Sequence, residues 1–149
     1  MSEPVGYAKS TYAALKVMIV DDDGGTRRLI RRMLNQIGIE TVIECADGLR
    51  GVQEVLRTKP DAVFCDIHME PVNGNEFLRM LRDAKIGWVK RLPIVFLTSD
   101  NQQESVVTAV ENQVDGYLVK PVSMVVLKAR VDAIVAKMRA EEELKNAKL

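Results

Sequence analysis

The chain has 149 residues, enough to bury a self-sufficient core as one domain and too few for a second of similar size. Lysine plus arginine equals aspartate plus glutamate at 21 each, so no global field favours nucleic acid or an anionic membrane surface. The sequence does not open on a basic segment with a long apolar run, and no later run approaches a membrane span. The expected compartment is the cytoplasm, with neither nucleic acid nor membrane as partner.

Residues Met1 to Ala14 show no clear period, and Pro4 and Gly6 argue against an early helix, so a weakly ordered lead-in is expected there. Lys16 to Val20 reads as a buried strand that stops at Asp21-Asp22-Asp23. Asp21 to Gly25 reads as a turn loosened by Gly24-Gly25, with Thr26 as the N-cap of a helix over 27–36. Its inward residues are Leu29, Ile30, Met33, Leu34 and Ile37, its arginines point outward, and Gly38 ends it. Thr41-Val42-Ile43 centres a second strand over 39–46. A helix with Val52, Val55 and Leu56 inward then runs to about Lys59, where Pro60 stops it.

The run Asp61-Ala62-Val63-Phe64-Cys65-Asp66 reads as the central apolar strand, and it ends abruptly in a carboxylate. Ile67 to Gly74 reads as a loop, and a helix over about 75–85 turns Phe77, Leu78 and Leu81 inward. The shape of 86–92 is undetermined. Pro93 to Leu97 is a fourth strand, stopping at Thr98-Ser99-Asp100, and 102–113 reads as a helix with Val106, Val107 and Val110 inward. Gly116 to Val119 is the fifth strand, stopping at Lys120-Pro121. Ser123 caps a last helix carrying Leu127, Val131, Ile134, Val135 and Met138 on one side. A further strip, Val122, Val126, Ala129 and Ala133, reads equally as a wide core face or as a partner or homodimer surface. The expected division is a lead-in over 1–14, one folded domain over 15–139 and a charged helical extension over 140–149.

Five strands alternating with five helices through short connections imply right-handed βαβ units and a three-layer α/β sandwich. Pattern alone leaves the strand order open. Strands that are apolar along their whole length belong in a parallel sheet covered on both faces, where chemistry collects at the carboxyl ends. Asp21, Asp22, Asp66, Thr98 and Lys120 would then converge on one edge. Three nearby carboxylates repel one another and call for a cation, and Mg²⁺ suits them because it accepts oxygen ligands, keeps waters and binds phosphate. Asp23 reads as a loop former or cap. Cys45 and Cys65 lie in apolar strands and read as free thiols, so with the single histidine they form no zinc pattern.

An acidic pair after strand one, an aspartate after strand three, a threonine after strand four and Lys-Pro after strand five together resemble the bacterial response-regulator receiver domain, the family of the chemotaxis regulator. The resemblance covers about 16–138. It implies a flavodoxin-like, doubly wound sheet of order 2-1-3-4-5, Mg²⁺ as cofactor, and phosphoryl acceptance on Asp66 from a sensor histidine kinase or histidine phosphotransfer protein. It also implies direct metal binding by Asp22, binding largely through water by Asp21, and a backbone ligand from the His68 carbonyl. Thr98 and Tyr117 would be switch residues, Lys120 the phosphoryl-pairing ammonium, and His68 and Asp100 the side chains that tune phosphoryl lifetime. The implied role is a stand-alone regulator acting on a downstream target protein, without turnover beyond its own phosphorylation and dephosphorylation. A phosphorelay intermediate is an alternative. Met69-Glu70-Pro71 departs from the family's Met-Pro, and Val122 replaces a common phenylalanine. A second resemblance, of Asp21-Asp22-Asp23-Gly24-Gly25-Thr26 to the haloacid-dehalogenase-type phosphatases, would make Asp21 a nucleophile.

Overall fold

The computed structural model describes residues 6–99 and 113–147. In chain order these form α1 (Lys9–Ala13), β1 (Lys16–Val20), α2 (Gly24–Ile37), β2 (Thr41–Cys45), α3 (Gly48–Thr58), β3 (Ala62–Asp66), α4 (Gly74–Arg82), α5 (Gly87–Lys90), β4 (Ile94–Thr98), β5 (Gly116–Val119) and α6 (Met124–Ala147). All four strand pairs are parallel, and the sheet order is β2-β1-β3-β4-β5. The helix expected over 102–113 lies almost wholly outside the described residues.

Side chains alternate across the strands with period two. Val17 and Ile19, Ala62 and Phe64, and Val95 and Leu97 face the layer of α1, α2 and α6. Met18 and Val20, Val63 and Cys65, and Ile94 and Phe96 face α3, α4 and α5. Phe64, Phe77 and Phe96 are fully buried, each contributing about 1.5–3 kcal/mol relative to exposure. Cys45 and Cys65 are buried free thiols on strands separated by β1, each in register with Val20.

Local chemistry moves several expected boundaries. Asp23, not Thr26, is the N-cap of α2, accepting from the amides of Gly25 and Thr26 and from the Thr26 hydroxyl. Gly24 and Gly25 therefore lie inside the first helical turn and do not form a loose loop. Asp47 caps α3, and Asn73 with Glu76 forms a reciprocal capping box on α4. Leu29 and Leu56, expected inward, are 42% and 49% exposed.

The helix α1 corrects the expectation that no early helix forms in the lead-in. Tyr12 is 3% exposed, and its hydroxyl donates to Asp132 Oδ1 at 2.6 Å while accepting from the Tyr7 amide at 3.0 Å. Its β-carbon stands against Gly38, which ends α2 at φ 121°, where a side chain would be strained and a β-carbon would meet the ring. Five residues are too few to show a helical period, so one buried aromatic anchor decides the matter.

Candidate functional site

The parallel register brings four strand ends side by side. Val20 pairs with Cys65, so Asp21 follows β1 beside Asp66 at the end of β3; Asp66 pairs with Leu97, and Thr98 pairs with Val119, the residue before Lys120. The Lys120 amide donates to the Thr98 carbonyl at 2.7 Å, which fixes the β5 end against the β4 end. Asp21, Asp66 and Thr98 each stand at the end of a buried strand, while Lys120 follows β5, which is held through the buried Leu118 and its pairing with β4.

Asp21 is fully buried, Asp66 is 8% exposed and Asp22 lies in solvent. One carboxylate oxygen from each of the three lies within 4.8 Å of the others. Lys120 Nζ stands 3.0 Å from Asp21 Oδ2 and 3.1 Å from Asp66 Oδ1. Its approach to Asp66 is a hydrogen bond, whereas that to Asp21 Oδ2 is an ionic contact off the hydrogen-bond line. Burial disfavours the Lys120 ammonium, yet the two carboxylates outweigh it and hold its pKa above that of an ordinary lysine. Burial first, then the charge of Asp21, raises the Asp66 carboxyl above its usual range, with Lys120 opposing.

This donor set suits a hard divalent cation. It holds three carboxylates against one ammonium, every donor is oxygen, and one buried oxygen has no directed hydrogen bond. An open cleft of about 600 Å³ borders the cluster at Asp22 and is otherwise lined by His68, Met69, Glu70, Pro71, Asn73 and Glu76. His68 is exposed at the cleft wall. The Thr98 side chain is 5% exposed, and its hydroxyl donates to the Ser99 carbonyl at 3.1 Å. Tyr117 is half-buried on β5, where burial raises its phenol pKa. Asp100 lies outside the described residues. Trp88 sits on α5, before β4 begins, at the opposite edge of the sheet from the carboxylates.

Two contributors have no counterpart in the sequence reading. The Gly74 amide donates to the Ile67 carbonyl at 2.7 Å, and a β-carbon at Gly74 would come within 2.5 Å of the Asp66 carbonyl oxygen. Only glycine lets α4 start that close to the loop after Asp66; the Asn73-Gly74 pair was the available signal. Arg27 donates through Nη1 to the Asp21 carbonyl. Asp21 itself is a poor candidate nucleophile, being fully buried with Oδ1 accepting from the Asp23 amide at 2.8 Å.

A family model described as the response regulator receiver domain matches residues 17–132. The chemotaxis protein CheY-3 of Vibrio cholerae is 30% identical over 125 residues, covering 83% of this chain and 94% of that protein. The chemotaxis protein CheY of Pseudomonas aeruginosa is 30% identical over 121 residues, covering 80% and 95%. A two-component response regulator from Clostridium difficile has a solved structure that matches with a TM-score of 0.74 at 26% identity, covering 83% of this chain and 98% of that one.

Proposed function

The chain belongs to the response-regulator receiver domain family, and from that premise we propose that Asp66 is its phospho-accepting residue. The observation that carries the reading is the seat of Asp66, at the end of the central strand β3, hydrogen-bonded to the Lys120 ammonium and beside the two other carboxylates. The Asp66 carboxylate attacks phosphorus, forming an O–P bond as the bond to the donor's nitrogen or acyl oxygen breaks. Lys120 pairs with the incoming phosphoryl oxygens, which releases it from part of its present contact with Asp66. Asp21, Asp22, Asp66 and the His68 carbonyl would hold Mg²⁺, which neutralises phosphoryl charge when bound.

Thr98 reaches the phosphoryl group by giving up its hydrogen bond to Ser99, and Tyr117 follows into the space that opens. His68 at the cleft wall and Asp100 tune the lifetime of the acyl phosphate. The phosphodonor is a sensor histidine kinase or a histidine phosphotransfer protein, and output passes to a target protein, in a phosphorelay to the next carrier, or through a homodimer. No catalysis beyond the chain's own phosphorylation and dephosphorylation belongs to this reading. Among the described residues no helix is long and apolar enough to cross a membrane, and a cytoplasmic site of action fits the proposed donors.

Incubation with acetyl phosphate and Mg²⁺, followed by intact-mass analysis, should show one added phosphoryl group that is missing from Asp66→Asn. Label retained by that variant would move the acceptor elsewhere and end this assignment.

A further inference from the structure

We infer that Arg27 is a positioning residue for the acidic pair, acting as a brace between β2 and the backbone of Asp21. This rests on the reading of Asp21 and Asp22 as metal-binding groups and deepens it.

Asp21 is the point where β1 leaves the sheet. Its amide makes the last rung to β2, donating to the Cys45 carbonyl at 3.0 Å. Its carbonyl, which begins the peptide link to Asp22, accepts from Arg27 Nη1. The guanidinium is not free to drift, because Nε donates to Glu44 Oε1 at 3.1 Å, and Glu44 is the β2 residue immediately before Cys45. Arg31, one turn further along α2, bonds the other Glu44 oxygen. The Arg27 and Glu44 side chains are only 21% and 23% exposed, which shields the pair from full solvent screening.

The result is a closed loop of contacts: β2 to Glu44, Glu44 to Arg27, Arg27 to the Asp21 carbonyl, and Asp21 back to β2. It fixes the direction in which the chain departs from β1, and therefore where the exposed Asp22 carboxylate stands. The brace also brings a cation to the backbone beside three carboxylates without occupying any carboxylate oxygen of the cluster. A planar guanidinium can meet a carboxylate and a carbonyl together, whereas a lysine ammonium has neither the fork nor the reach. Groups that orient metal-binding residues from behind typically alter metal affinity by about 10–100-fold when removed.

The test uses the full chain and Mg²⁺ alone, followed by amide shifts of residues 22–25 in NMR titrations, beside acetyl phosphate labelling over a range of Mg²⁺ concentrations. Arg27→Gln should weaken Mg²⁺ about tenfold, and Arg27→Lys should recover only part of the loss. Labelling of Arg27→Gln should be slow at low Mg²⁺ and approach the wild-type rate at saturation, since the acceptor itself is untouched. Glu44→Gln should act in the same direction, and Arg27→Gln/Glu44→Gln should be little worse than Arg27→Gln alone because both break one chain of contacts. Wild-type Mg²⁺ affinity in Arg27→Gln, or losses that simply add in the double variant, would overturn the brace, even if Tm falls. If the wild type binds Mg²⁺ but takes no phosphoryl group, the functional reading fails and the brace stands or falls on the titration. A wild type that takes up neither overturns both.

Discussion

Ionised Asp66 sits in surroundings that oppose its charge. Burial and the Asp21 carboxylate raise its pKa, and Lys120 cancels only part of the effect. Between the ordinary carboxyl value and the raised one, the native state binds more protons than the unfolded chain. Stability therefore falls as pH rises through that window, and the penalty is complete above it. Asp66→Asn removes the charge while keeping the shape, so without metal at neutral pH it should raise Tm by a few degrees, the size of a change of about 1 kcal/mol. The gain should vanish as pH drops below the ordinary carboxyl range, and Mg²⁺ should stabilise the wild type more than the variant. Matching melting curves for both proteins at neutral pH without Mg²⁺ would show that the burial penalty is negligible. The identities of Asp21, Asp22, Asp66, Thr98 and Lys120 were legible because each ends an apolar run, a feature that needs no tertiary information. The Arg27 contact was not legible, since four arginines on one helix look alike until a strand places Glu44 beside one of them.

At the level of elements, α4 shows how a helix start can govern a strand end. Asn73 and Glu76 cap the helix reciprocally, and Gly74 lies against the Asp66 backbone, so the loop between β3 and α4 is held from its far side. Gly74→Ala would thrust a methyl group to within 2.5 Å of a backbone oxygen. The backbone has to shift, and overpacking of this kind costs about 1–3 kcal/mol. Acetyl phosphate labelling of Gly74→Ala should be at least several-fold slower under conditions where circular dichroism still shows a folded chain. An unchanged labelling rate would mean that the loop position does not matter to Asp66. The elements were largely readable in sequence because alternation and helical spacing are local signals. Strand order came only with the family resemblance, because the strands are all short and pairing among them is a tertiary choice. Leu29 and Leu56 misled for a related reason: they lie at the edge of an apolar stripe, and the width of the neighbouring layer decides whether an edge residue is covered. The strip read at the last helix divides in the same way: Val122, just before α6, is in the core, whereas Val126 on the helix is 50% exposed.

Across the whole molecule, the stretch from Tyr7 to Ala13 is a working part of the fold. Tyr12 seals the layer of α2 and α6; Lys128 stands 5.7 Å from its ring centre and pairs with Asp132 at 2.9 Å. Arg139 lies 4.7 Å from the centre of the Tyr7 ring and donates to the Thr11 hydroxyl at 2.9 Å. Tyr12→Ala should cost about 3–5 kcal/mol by opening a cavity, as aromatic truncations do. Tyr12→Phe should cost about 1–2 kcal/mol, because Asp132 Oδ1 and the Tyr7 amide lose the hydroxyl they share. Urea unfolding of the three proteins would measure both, and a Tyr12→Ala value within experimental error of the wild type would show that α1 is only loosely docked.

The bond from Tyr12 to Asp132 joins residues 120 positions apart. During synthesis Tyr12 can meet Gly38 and α2 early, but its hydroxyl gains Asp132 only after all five strands have been made and α6 emerges. Completion of its seat therefore belongs among the later events of folding, and a chain halted before α6 would leave one side of the Tyr12 ring uncovered.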